Sequence, residues 1–436
     1  MKKGKSRNKR KKTRSRLLWI AIAVIGIAAV ISAVCVAAIS FVLILSISGC
    51  SDAPPEENTV LETVIDVQDI QEESEEDADE IISVCIDLYE KAEEEENKLA
   101  DLETIRSIVN RLGENGYSAV DSKNQIDMTE PEQVTNFCEM VDEKEEAEIS
   151  IIEVSYLPGF VKYDLQTKDG NVDVVRSYYK YENGNIQRNT TGSYQAEYWN
   201  YTEEGYLMFS GSWYSEELYI LTLSGVEEDT ALRVQPLDET CRILTRKYLT
   251  PIGFEQNNMF IVDWSEDDFG DLNFYDMYDI LYPKVNGQYV PYVADDNLSS
   301  SAVYQIPKEE FESVIMRYFN IDSETLQSKT VYCSENSTYE YKPRAFEEVE
   351  YPEYPYSEVV GFTENSDGTI TLIANVVFPY AVDSKVYAHE VVVRPLEDGG
   401  VQYVSNRIIP SEDNSEETWH TPRLTAKEWE ELYGGE

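Results

Sequence analysis

Residues 17–49 run without a single charged side chain, and this constrains the chain more than anything else in it. The stretch LLWIAIAVIGIAAVISAVCVAAISFVLILSISG is longer than the roughly 20 residues needed to cross the hydrocarbon core of a bilayer. It follows MKKGKSRNKRKKTRSR, residues 1–16, which holds ten Lys and Arg and no acid. A cationic flank of that kind stays in the cytoplasm. The expected arrangement is an N-terminal membrane helix, with residues 51–436 on the extracytoplasmic face of the cell membrane.

The apolar run closes on Ile47-Ser48-Gly49-Cys50, which resembles a bacterial lipobox. Two fates compete. Cleavage before Cys50 would leave it as a lipidated first residue, whereas retention would leave 17–49 as a transmembrane helix. A signal-peptide apolar region usually spans about 7–15 residues, which favours retention. The small-small-Cys ending, placed where charge returns, favours lipidation. Both tether the chain.

Beyond the run the balance reverses. Residues 51–436 hold the remaining 26 of the 36 basic residues and all 83 acidic ones, a formal charge of −57. Such a surface repels a phosphate backbone, so nucleic acid is excluded as a partner. Apolar residues make up 42% and charged residues 27%, values of a folded protein rather than a disordered or multi-spanning one.

Residues 50–80, with thirteen acids, no base and Pro54-Pro55, read as an acidic disordered stalk. Helical spacing then starts at Ile81 and passes through Val84, Cys85 and Leu88. It resumes over Leu99–Leu112, with Gly113 as a stop and Glu93–Glu96 as a break or exposed turn. Pro131 opens another helix, carrying Val134, Phe137, Cys138 and Val141. Residues 81–147 are therefore expected to be a helical segment.

From 148 the period becomes two, and turn pairs recur at Asp169-Gly170, Asn183-Gly184 and Glu204-Gly205. This predicts an antiparallel β-rich domain over 148–262, closing at Met259–Val262. Residues 263–410 read as a smaller α+β domain. A helix after Ile306-Pro307 carries Phe311, Val314, Ile315, Tyr318 and Phe319, and two hairpins follow, turning at Asp367-Gly368 and Asp398–Gly400. Helix first and curved sheet after resembles a cystatin or nuclear-transport-factor-like cone, an analogy of fold alone. The polar tail, 411–436, ends in a short helix opened by a capping box at Thr425–Glu428. The fold class expected is α+β throughout.

The inventory for chemistry is thin. The two histidines, His389 and His420, are too few for a His-rich zinc site, and no Gly-x-Ser-x-Gly elbow or phosphate loop is present. His389-Glu390 starts like a zincin motif, but Val393 stands where the second His belongs, so a satisfied strand histidine beside Tyr387 and Val391 is expected. Cys85, Cys138, Cys241 and Cys333 are too widely spaced for a zinc knuckle and read as free thiols. No catalytic residue, cofactor or metal is expected, and Cys50 is the one modification site.

The densest constellation is 263–282, DWSEDDFGDLNFYDMYDILY, in which Asp263, Glu266, Asp267, Asp268, Asp271, Asp276 and Asp279 alternate with aromatics. Paired carboxylates among aromatics suit a glycan hydrolase using an Asp/Glu pair within 263–279. The competing reading is an amphipathic helix with Phe274, Met277, Tyr278 and Leu281 inward and the acids solvated. Thirty-one tyrosines offer apolar rings with polar tips, suited to glycan or protein contact and equally to packing within sheets.

The segments FCEMVDEKEEAEISIIEVSYLPGFVKYDLQTKDGNVDVVRSYY, EQNNMFIVDWSEDDFGDLNFYD and YPEYPYSEVVGFTENSDGTITL together resemble an uncharacterised family of membrane-anchored lipoproteins from clostridia-like Firmicutes. The resemblance implies the compartment and no activity. The expected function is a non-catalytic, membrane-tethered binding or structural protein of the bacterial cell envelope, facing a cell-wall glycan or a surface protein. The alternative is the glycan hydrolase.

Overall fold

The computed structural model describes residues 67–95, 98–213, 226–292, 302–344, 353–415 and 417–433. The basic segment, the apolar run, Cys50 and the first part of the acidic stretch lie outside them. Among the described residues no helix is long and apolar enough to cross a membrane. Residues 71–436 form one compact unit of α+β architecture.

The acidic stretch is helical where it is described. A helix runs over Val67–Glu94, so residues 67–80 are not the disordered stalk expected of them. Gln and Glu are good helix formers, and the second half of the same helix is fixed by packing of Ala78, Ile81, Cys85 and Tyr89. The helix Leu102–Glu114 adds Ile105, Ile108, Val109 and Leu112 to that core. Pro131 begins the helix Pro131–Glu143, as its sequence predicts. Between these two helices lies a strand that the helical reading of 81–147 overlooked, β1 (Ser118–Asp121). Its four residues are all buried, so it shows no alternation to read.

β1 pairs in parallel with β2 (Ala147–Ser155), which leads an antiparallel meander of β3 (Gly159–Lys168), β4 (Asn171–Glu182) and β5 (Asn185–Gln195). Its turns fall where the sequence places them. Asp169 and Gly170 have φ of 53° and 82°, and Asn183 and Gly184 have 54° and 75°. Positive φ at both central residues matches the twist of a two-residue hairpin.

One face of this sheet takes the first two long helices onto Ile152, Val154, Phe160, Tyr179 and Tyr181. The other face takes a second sheet of β6 (Tyr198–Tyr201), β7 (Tyr206–Trp213) and β8 (Val226–Arg233). Large and small residues interlock across this joint. A Cβ on Gly192 would lie 2.2 Å from Trp213, and one on Gly211 would lie 2.4 Å from Tyr194. Only glycine allows either ring its place.

Residues 239–262 depart from the β expectation. They form a helix over Glu239–Leu244, a π turn over Thr245–Leu249 and then turns, with Met259 and Phe260 buried but not extended. Cys241, Leu244, Tyr248, Phe254, Met259 and Phe260 pack with the C-terminal half, so the core changes partner near residue 240. That half is built on a sheet in the order β13 (Tyr356–Glu364), β14 (Ile370–Val377), β15 (Ala388–Pro395), β16 (Val401–Ile409), β9 (Trp264–Ser265). The helices Phe274–Asn286 and Lys308–Tyr318 share its core, beside a small sheet of β10 (Tyr304–Pro307), β12 (Thr338–Tyr341) and β11 (Tyr332–Cys333).

The two halves are joined by buried polar contacts. Arg233 of β8 pairs with Glu358 of β13, Tyr206 Oη donates to Glu358 at 2.8 Å, and Asn124 Nδ2 reaches Tyr356 Oη at 3.2 Å. All four cysteines among the described residues are free, with Cys85, Cys138 and Cys241 buried.

Candidate functional site

The acid-rich segment divides into three environments. Asp267, Asp268 and Asp271 are exposed in the turns before the helix. Glu266 meets Arg394 through two hydrogen bonds of 2.8 and 3.0 Å and accepts from Asn320, contacts that hold its carboxyl below the usual range. Asp276 and Asp279 lie within the helix Phe274–Asn286, whose N-cap Asn273 accepts from the amides of Tyr275 and Asp276. Phe274, Met277, Tyr278 and Leu281 face the core, as the amphipathic reading required.

Asp276 is not solvated, however; it is 1% exposed. Arg344 grips both of its oxygens, at 3.2 and 3.0 Å, and Arg423 donates to it at 3.1 Å and to Asp279 at 2.6 Å. Tyr341 Oη adds a 2.6 Å bond to Asp279. The Arg423 guanidinium also sits 4.9 Å from the Tyr341 ring and 5.9 Å from that of Tyr275. Two carboxylates and two guanidiniums thus form a charge-balanced cluster. A buried acid here survives because a cation is supplied for it.

A groove of about 500 Å³ opens beside this cluster. Its walls are residues 250–256, which follow the π turn, together with Asp276, Asp279, Ile280, Tyr354 and Pro355. With the oxygens of Asp276 held by arginines, the groove offers a half-buried Asp279, an exposed Glu255 and the Tyr354 ring. That lining can hold a ligand but does not present a free carboxylate pair to a scissile bond.

His389 lies on β15, fully buried, as the strand-histidine reading expects. Its Nδ1 is 2.8 Å from Asn406 Oδ1 and its Nε2 2.9 Å from Ser357 Oγ. Asn406 Nδ2 donates to the Val262 carbonyl, so its Oδ1 accepts from Nδ1–H and leaves Nε2 to accept from Ser357. The ring reaches β13 over Ala374, its small neighbour on β14. This has the connectivity of a nucleophile, base and orienting amide. Ser357 is only 7% exposed, though, and Phe260 lies over the imidazole with centroids 5.3 Å apart. No substrate carbonyl can approach, and the chain of bonds serves to satisfy buried polar atoms. Burial without a countercharge takes the His389 pKa down to about 4.

A third cluster sits in the joint between the two N-terminal sheets. Arg176 of β4 donates to Glu228 of β8 at 2.7 Å, and Tyr163 Oη donates to Glu153 of β2 at 3.1 Å. Burial raises the Glu153 carboxyl to about 7, and the charges of Glu228 and Asp121 act in the same direction.

Sequence reasoning did not single out Arg344, Arg423, Ser357, Asn406, Glu153, Arg176 or Glu228. Their partners lie up to 147 positions away, and no local period records such a contact. The one local signal was in the tail, where Trp419 and Arg423 stand among polar residues; both are buried. Among the described residues no group of His, Cys, Asp or Glu is arranged to hold a metal ion. No curated protein and no solved structure matches the chain. A family model described as a family of unknown function (DUF6070) matches residues 71–423.

Proposed function

The chain belongs to the DUF6070 family, of unknown function, and we propose that it is a non-catalytic, membrane-tethered binding protein of the bacterial cell envelope. The order of the N-terminus supports the tether: ten cations, an uncharged run, then Cys50 as the lipidation site of a lipoprotein. The observation that carries the non-catalytic part is the occupation of Asp276 by Arg344 and Arg423 beside the groove at 250–256. Glu266, Asp276 and Asp279 of the acid-rich segment are held by arginines, while the groove beside Asp276 and Asp279 stays open to a ligand.

Two experiments test the tether. Protease added to intact cells should degrade residues 51–436 and spare the anchor; full protection overturns the topology. Mass spectrometry of the mature N-terminus should find an acylated Cys50, and an intact 1–16 segment overturns lipidation. For the non-catalytic part, the full chain should sediment with isolated cell walls and leave their glycans uncut. Cleavage that disappears in Asp267→Asn or Asp271→Asn would replace the binding reading with the hydrolase.

A further inference from the structure

A second groove, of about 390 Å³, is formed by the free end of the β4–β5 hairpin. Its lining joins four carboxamides, Asn183, Asn185, Gln187 and Asn189, to Lys180, Glu182 and Arg188, with no apolar residue. The register explains how they meet. Lys180 pairs with Gln187 and Glu182 with Asn185, so these four share one face. The alternating residues Tyr179, Tyr181 and Ile186 go to the opposite face, beneath the helices. The pairing then shifts by one residue between Tyr178 and Tyr179, which leaves Asn189 as the extra residue of a bulge. A bulge bends its strand and re-aims side chains, here on the outermost strand of the sheet.

We propose that this hairpin groove binds a polyhydroxylated carbohydrate, such as a stretch of cell-wall glycan. Each carboxamide carries a paired donor and acceptor, which matches the paired donor and acceptor of neighbouring sugar hydroxyls. The lining gives a lipid tail or an apolar peptide no surface to bury. Lys180 pairs with Glu182 at 3.3 Å, and Arg188 adds one further cation to the lining. A lining with one cation in excess contrasts with the −57 of residues 51–436 and admits a glycan whose only charges are scattered carboxylates. The amides stand on strands pinned by a turn and a ladder, so little order has to be imposed on binding. The inference rests on the envelope reading above and gives it a ligand class.

The test uses the full-length chain in detergent, with peptide-free glycan strands and the N-acetylglucosamine tetramer as probes. The wild type should bind, and the triple variant Asn185→Ala, Gln187→Ala, Asn189→Ala should lose at least tenfold in affinity. All three positions are exposed, so its melting temperature should match that of the wild type. Tyr289→Ala, on the surface outside both grooves, should bind the probes as the wild type does. Equal binding by the triple variant, or no binding of either probe by the wild type, overturns the proposal. A wild type that binds neither probe yet sediments with whole walls rejects the sugar site and leaves the envelope reading standing. Failure of both assays rejects both.

Discussion

At the scale of single residues, the buried ionisable groups hold the sharpest expectations. His389 is neutral in the folded chain, with its pKa lowered from 6.5 to about 4. Above pH 6.5 the imidazole is neutral whether the chain is folded or not, so nothing is lost. As the pH falls from 6.5 towards 4, the unfolded chain takes up a proton that the folded one refuses, and stability declines by about 3 kcal/mol. Urea titrations of wild type and His389→Gln over that range should converge as the pH drops. Parallel curves would show that His389 titrates normally. Arg423 is the second case. Removing it leaves Asp276 and Asp279 with one fewer cation in a dry site, and Arg423→Met should cost about 3 kcal/mol in denaturant unfolding. Much of that loss should be restored when Asp279→Asn is added, and a double variant no more stable than the single would count against the pairing.

At the scale of elements, the joint between the two N-terminal sheets depends on interlocked glycines and on one poorly compensated acid. Gly192→Ala must push Trp213 aside and should destabilise by about 1–3 kcal/mol, with a change in tryptophan fluorescence. An unchanged spectrum would place Trp213 elsewhere. Glu153 acts with the opposite sign to His389. Its folded pKa is raised from 4.5 to about 7, so its protonated form is the one the fold accommodates. Stability from this group is complete below pH 4.5 and is lost as the pH rises through 7. Tyr163, Arg176, Glu228 and Asp121 are the charged or titratable groups around it. Glu153→Gln should remove the decline between pH 4.5 and 7, and a variant that follows the wild-type curve would refute the assignment. The tail helix Ala426–Tyr433 is the most local element of all. Its capping box closes as the sequence predicts, with the Thr425 amide donating to Glu428 at 2.8 Å and the Glu428 amide to Thr425 Oγ1 at 3.2 Å.

At the scale of the molecule, polar contacts tie distant parts of residues 71–436 into one unit. Glu358 receives both Arg233 and Tyr206 from the N-terminal half, and Asp276 receives Arg423 from the tail. Trp419 packs edge-on to Phe254 and Phe378, which makes the tail part of the C-terminal core. Deleting residues 411–436 should therefore lower the melting temperature of the whole unit, because it exposes that core and strips Asp276 of a cation. A truncated chain that melts like the full one would mean the tail is an appendage. The family match ends at residue 423, the position of this arginine.

The sequence by itself determined what depends on neighbours in the chain. The hairpin turns at Asp169-Gly170, Asn183-Gly184 and Asp367-Gly368, the helix opening at Pro131 and the capping box all follow from backbone preferences that act over a few residues. The α+β class followed from where the period changed from helical to alternating spacing. Tertiary structure alone decided the rest. β1 is buried on both faces and carries no alternation, and residues 67–80 take up the helix that their packed continuation stabilises. Asp276 looks like any of the 83 acids in the sequence. Only folding, which brings Arg344 and Arg423 to it from 68 and 147 positions away, turns a solvated charge into a buried and balanced one. A countercharge is a long-range partner, and its effect on a carboxylate depends on distance and burial, neither of which is written in the order of residues.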